Sequence, residues 1–305
     1  YTLSLHDALP ISCARKPTQR PRNDAQSCAC RNRGCSNGAK ASIDGSMVPQ
    51  RPLVPLMEVV HHRLAVEVMR GCTRGCRFCS AGTYYRPVRE RDSQDVRGQI
   101  ESGIAATGWR ELGLLSLSTA DYSCLSDLLA TANRMREQLR LAISLPSTRV
   151  DALSADQFAA INTISGSSSF TIAPEAGSPR LRAVINKDFT DDQILSTAQL
   201  LFDGGVETLK LYFMIGLPTE NDQDISALID LVKNVARIAF EQPRRKSVNV
   251  ALSPFSPKAH TPFQWEAMES VERLLEKSRR IKSELSGLKN VKIAYRNPWV
   301  SFLES

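Results

Sequence analysis

A chain of 305 residues, 42% hydrophobic and 23% charged, holds one large α/β domain or two smaller ones. It has no run near the roughly 18 uninterrupted apolar residues that a membrane span needs, and its start lacks the basic-then-apolar pattern of a secretory signal, so a cytoplasmic chain is expected. The net charge of +7 is uneven: residues 1–50 hold seven Lys/Arg against three Asp/Glu and the rest 32 against 29, which gives little support to nucleic-acid binding.

Residues 1–46 show neither helical nor strand periodicity and are rich in Arg, Ser, Asn, Ala and Gly, a composition of disorder. Their opening, Tyr1 to Ser12, reads as translated vector or adapter DNA, so the segment, with its four cysteines Cys13, Cys28, Cys30 and Cys35, is expected to lie outside the fold. Residues 47–62 are Pro-rich and read as an extended linker, with His61 and His62 as exposed loop residues. The folded core is expected over 63–290. It opens with a strand at Leu64–Met69, where Val66 and Val68 are β-branched.

Directly after that strand stand Cys72, Cys76 and Cys79, in a C-x3-C-x2-C spacing. Three thiolates are an incomplete set for a closed site, because structural zinc and ordinary iron–sulfur clusters take four protein ligands. The spacing therefore predicts either a metal centre with one position open or a zinc loop completed by a distant His or Cys. Gly71 and Gly75 let the backbone fold around such a centre, and Phe78 can shield it from water. The Arg- and Tyr-rich stretch that follows, with Tyr84, Tyr85 and Arg86, reads either as a wall beside the centre or as a solvated loop. Cys124, the remaining cysteine, reads as a buried small hydrophobe on a helix.

The rest of the chain repeats a strand-then-helix rhythm. Ser93 is expected to cap a helix carrying Val96, Ile100 and Ile104. Further strands are expected at Glu111–Ser118, Leu141–Leu145, Ser168–Ala173, Glu207–Met214 and Ser247–Ser253. Thr190, followed by Asp191 and Asp192, marks a helix start, and Gly204 with Gly205 a stop. Six strands alternating with helices predict parallel pairing through right-handed crossovers, as a barrel or a doubly wound sheet. A last amphipathic helix over Val271 to Leu285 leads to another strand at Val291–Tyr295, and residues 291–305 read as the start of a truncated C-terminal extension. Ligands of parallel α/β folds sit outside the carboxyl ends of the strands, and here those ends are polar, with Ser118, Arg149, Glu175 and Glu220 close behind.

The cysteine spacing, with an aromatic residue just before the third cysteine, closely resembles the signature of the radical S-adenosylmethionine (radical SAM) superfamily. The resemblance implies an α/β fold, the partial (β/α)6 barrel with parallel strands, and a [4Fe–4S] cluster on Cys72, Cys76 and Cys79 whose fourth iron is chelated by SAM. Reductive cleavage of SAM would then yield a 5′-deoxyadenosyl radical acting on an unknown substrate, with a flavodoxin or ferredoxin as electron donor. Glu175 to Lys187 resembles the methylthiotransferase-like segment that contacts SAM. It implies Glu175 at the ribose or amino group and Lys187 at the carboxylate, with Arg149 as a second carboxylate partner, Ser118 at the amino group and Gly216 in the motif near the adenine. Longer motifs, including Ser144 to Ser147, Lys210 to Pro218 and Pro254 to Trp265, are similar to bacterial radical SAM proteins with an N-terminal cobalamin-binding domain. That domain is absent here, so cobalamin is implied only for a longer protein. Two other readings stand beside this one: a non-catalytic iron–sulfur or zinc module, and an RNA-binding or RNA-modifying protein of the methylthiotransferase-like type.

Overall fold

The strand-and-helix rhythm folds into two parallel sheets whose strands follow chain order. A computed structural model describes residues 43, 48–144, 155–165 and 168–303, all within the unit Gly34–Ser305. The segment 1–46, apart from Ile43, and Arg149 lie outside the described residues. In chain order the first part runs β1 (Leu64–Glu67), β2 (Met69–Arg70), α1 (Ser80–Tyr84), β3 (Arg89–Glu90), α2 (Ser93–Thr107), β4 (Glu111–Leu115), α3 (Leu125–Leu139) and β5 (Ala142–Ser144). The second part runs α4 (Ala155–Ser165), β6 (Ser169–Glu175), α5 (Pro179–Val184), α6 (Asp191–Asp203), β7 (Thr208–Ile215), α7 (Asp222–Glu241), β8 (Ser247–Pro254), α8 (Val271–Leu285), β9 (Val291–Tyr295) and α9 (Pro298–Leu303).

One sheet has the order β1-β4-β5 and the other β6-β7-β8-β9, with every neighbouring pair parallel. In each sheet the next strand in sequence is the next in space. A doubly wound sheet reverses that order at a switch point; a barrel does not. Each sheet has its own core, and Phe170 of β6 packs against both.

Burial alternates along the strands of the second sheet. Leu209, Leu211, Phe213 and Ile215 of β7 are buried in the core with Ile225, Leu228, Ile229 and Val232 of α7, whereas Lys210, Tyr212 and Met214 are left partly or fully accessible. The same holds in β8, with Val248, Val250 and Leu252 against the helices and Asn249, Ala251 and Ser253 on the other face. Parallel strands covered on both faces read as near-continuous apolar runs. This alternation is that of a sheet with helices outside and an open, partly polar interior.

Two local expectations are corrected. The first strand, expected over Leu64–Met69, splits: β1 stays in the sheet, while β2 turns away to pair antiparallel with β3, Met69 opposite Glu90. Val68 sits at the hinge, fully buried, with its N–H on Leu115 O at 2.9 Å and its carbonyl accepting from Arg91 N at 3.0 Å. The cap of α2 is Asp92 and not Ser93; its side chain accepts from Gln94 N at 2.8 Å, and a carboxylate is the stronger acceptor at the positive end of a helix. Thr190 caps α6 as expected, through a capping box with Gln193.

The turn after β6 is fastened to α7. A Cβ on Gly177 would lie 2.4 Å from Leu228 N and 2.5 Å from Asp224 O, both backbone atoms of that helix. Gly177→Ala is therefore expected to cost about 1–3 kcal/mol, the scale of overpacking against a wall that cannot yield. Urea unfolding of the two proteins measures it; a variant as stable as the parent would show that α7 moves freely.

Candidate metal and cofactor site

The cysteine loop leaves β2 and is held from three sides. Gly71 turns with φ +88°, and a Cβ there would come within 2.7 Å of Tyr85 O, so the loop can pass the 85–88 segment only as glycine. Arg74 pairs with Asp121 through two bonds, of 2.6 and 3.1 Å, and Thr73 Oγ1 donates to the same carboxylate at 3.3 Å. Burial pushes the Asp121 carboxyl up, but the bonds from Arg74 and Ser118 outweigh it and hold it below the ordinary value. On the opposite side, Arg77 N donates to Ile185 O at 3.0 Å and its guanidinium reaches the carbonyls of Ala183 and Val184 at the end of α5. Asn186 closes that side, its amide donating to Gly75 O at 2.8 Å.

Cys79 ends the loop as the N-cap of α1, with its Sγ accepting from Gly82 N at 3.3 Å. Cys72, Cys76 and Cys79 all line one cavity of about 320 Å³, and Glu175, Lys187 and Tyr212 line it too. Phe78, Ile172, Phe189 and Ile194 supply apolar wall.

Glu175 owes its place to an irregularity. The register of β6 against β7 shifts between Ile172 and Glu175, and Glu175 itself has φ +67°. Bulges re-aim side chains, and a non-glycine residue held at positive φ is a cost that persists where the surroundings over-determine it. Lys187 Nζ meets Glu175 Oε1 at 3.1 Å, with the lysine side chain only 9% exposed. The turn that brings the two together is tied by Arg182, which is fully buried and donates to the carbonyls of Ala176, Gly177 and Phe189 and to Asp191.

The structure thus brings Cys72, Cys76, Cys79, Glu175 and Lys187 to one cavity. It places Ser118 and Gly216 outside that lining. Ser118 is buried and donates to Asp121 Oδ2 at 2.8 Å, acting on the loop through Asp121. Gly216, at φ +75°, donates to Glu220 Oε1 at 2.8 Å and lies under Leu274 and Glu269. Tyr84 is exposed, stacks edge-on with Tyr85 and also stays outside the cavity lining. Cys124 is buried in the first core beside Leu125 and Leu128, as expected of a small hydrophobe. Sequence reading misses Tyr212 and Thr171, which line the cavity from mid-strand; the alternation of β7 is the signal that points to the first.

Three thiols on one loop are a donor set that suits an iron–sulfur cluster with one iron left open. Among the described residues no three His, Cys, Asp or Glu side chains are grouped to hold one metal ion. Tetrahedral zinc, with Zn–S of about 2.3 Å, would draw its sulfurs to about 3.8 Å from one another. A cluster instead distributes its thiolates over separate irons, so the three can stay further apart. No helix of the described residues is long and apolar enough to cross a membrane.

Comparison with known proteins agrees with this geometry. The family model described as the Radical SAM superfamily matches residues 66–232. An uncharacterized protein of Methanocaldococcus jannaschii is 35% identical over 234 residues, 76% of this chain and 48% of that protein. A tRNA-2-methylthio-N(6)-dimethylallyladenosine synthase of Petrotoga mobilis is 22% identical over 219 residues, 68% of this chain and 47% of that protein. The chain spans about half the length of these relatives. Among solved structures, the radical S-adenosylmethionine methyltransferase TsrM from Kitasatospora setae, with cobalamin and a [4Fe–4S] cluster bound, superposes with a TM-score of 0.52 at 16% identity, covering 69% of this chain and 39% of that one. The fold is thus that of the radical SAM partial barrel, and the chain belongs to the radical SAM superfamily.

Proposed function

We propose that this chain is the catalytic core of a radical SAM enzyme, with Cys72, Cys76 and Cys79 holding a [4Fe–4S] cluster and Glu175 and Lys187 holding the amino-acid end of SAM. The observation that carries this is the common cavity: three thiols on one loop face an adjacent carboxylate and ammonium. When bound, cluster and SAM together supply a 5′-deoxyadenosyl radical that removes a hydrogen atom from a substrate. The chain's own part is to hold and to exclude. An ammonium and a carboxylate on one ligand match Glu175 and Lys187 charge for charge, so the pair opens toward the ligand without leaving either charge unpaired. Phe78, Phe189 and Ile194 keep water from the cavity. The family likeness and the tie from Arg182 to the Glu175–Lys187 turn support the same assignment.

Anaerobic reconstitution with iron and sulfide is expected to load about four irons per chain, and reduction with SAM to release 5′-deoxyadenosine. A protein that takes up only zinc, or a loaded one that never forms 5′-deoxyadenosine, would refute the reading. Lys187→Met should weaken SAM binding about tenfold or more, the scale of a charge-assisted hydrogen bond, with iron content unchanged and Lys187→Arg largely restoring it. Equilibrium dialysis without reductant measures this step apart from turnover.

A further inference from the structure

A second cavity, of about 160 Å³, opens at the carboxyl ends of β7 and β8, lined by Met214, Ser253 and Pro254 among others. Phe78 of the cysteine loop forms part of its wall as well as part of the wall of the first cavity. Its remaining walls come from the loop after β8, from Arg296 after β9 and from Ser301 of α9. Two lining side chains are cationic, Lys258 and Arg296, and none is acidic. Lys258 has no carboxylate partner among the described residues. Ser256 Oγ is buried without a hydrogen-bond partner. A buried hydroxyl left unmade costs stability, and a lysine at a cavity wall without a counter-charge sets up a positive potential there. Both deficits are relieved by one ligand atom type, an anionic oxygen.

The loop that carries these groups is fixed in place. Lys258 O accepts from Thr261 Oγ1 at 2.7 Å, and Phe263 N donates to Arg77 O at 3.3 Å, which joins it to the cysteine loop. Phe263 packs edge-on against Phe255 at 5.9 Å.

We propose that this cavity is the substrate's anchoring subsite, taking an oxyanion, a carboxylate or a phosphate, on Lys258 and Ser256, with the body of the substrate against Phe78 and Met214. The volume suits one such headgroup and not a whole substrate, since ligand sites commonly enclose about 300–1,000 Å³. Its role as a substrate site rests on the reading of the first cavity as the cofactor site; its capacity to bind an oxyanion does not.

Phenyl phosphate and benzoate serve as probes, followed by isothermal titration on the full chain before and after cluster reconstitution. At least one should bind saturably while benzyl alcohol does not, and the preferred one names the oxyanion. Lys258→Met should weaken it about tenfold or more and Ser256→Ala about threefold, while Lys258→Arg retains it and Lys289→Met, outside the cavity, leaves it unchanged. Circular dichroism melts show which variants are folded. Absence of saturable binding, or binding indifferent to Lys258→Met and Ser256→Ala, overturns the inference even in a protein that loads a cluster and cleaves SAM. Oxyanion binding in a protein that does neither keeps the subsite and overturns its assignment to a radical substrate.

Discussion

Replacing any one of Cys72, Cys76 or Cys79 with alanine should abolish formation of 5′-deoxyadenosine, with reconstituted iron falling from about four per chain to a small fraction of that. In the proposed cluster each thiolate holds one iron, and among the described residues Cys72, Cys76 and Cys79 are the only cysteines lining the cavity. Among the described residues the remaining cysteine, Cys124, lies buried in the first core beside Leu125 and Leu128. The fold should survive these changes. The three cysteines are partly exposed, and the side-chain bond from Gly82 N to Cys79 Sγ is worth about 0.5–1 kcal/mol as a helix cap. Cys124→Ala is the opposite case: about 1–2 kcal/mol of stability lost from a filled core, with iron content unchanged. Iron analysis and thermal melts on the four variants give the pattern. Full iron loading in any of the first three would show that its cysteine is not a ligand.

Much of this site is legible in the sequence because its parts are local. The three cysteines lie within eight residues, Phe78 lies between two of them, and the strand they follow is marked by its own β-branched residues. Glu175 and Lys187 flank the short helix α5 within one continuous segment, so a motif can carry both. Other parts depend on direction, which spacing does not give. Ser118 and Gly216 follow strand ends as expected, yet one turns to Asp121 and the other to Glu220. The choice between a barrel and a doubly wound sheet is a matter of strand order, and periodicity is silent on order. It is not silent on the interior: Lys210-Leu-Tyr-Phe-Met214 alternates where a doubly covered strand would not, and that pattern exposes Tyr212 toward the cavity. Least legible are partners far apart in the chain. Arg74 finds Asp121 across 47 residues and Lys277 finds Glu220 across 57, and each looks alone like an ordinary surface charge.

Lys277→Met should destabilise the protein by about 3–5 kcal/mol at neutral pH, the scale for removing one partner of a buried ion pair. Lys277 Nζ donates to Glu220 Oε1 and to Glu269 Oε2, each at 2.6 Å, with 9% of its side chain exposed and only 2% of that of Glu220. Together they lock the segment after β7 onto α8, since Glu220 also accepts from Gly216 N and Glu269 from Arg273. Burial raises the Glu220 carboxyl above its ordinary value, with Lys277 pulling it back. The Lys277 ammonium is itself raised: its two carboxylate partners outweigh the opposing effect of burial. In the variant that restraint is gone, so Glu220 should be raised further. A carboxyl raised on folding contributes stability in full below its unfolded value, near 4.5, and loses it as pH rises through the folded value. The deficit of Lys277→Met should therefore be smallest near pH 4.5–5, widen toward neutrality and then level off. Urea unfolding of both proteins at several pH values between those limits tests it. A deficit constant with pH would mean that Lys277 contributes packing alone, and Glu220→Gln in the Lys277→Met background, which removes the stranded charge, should recover part of the loss at pH 7.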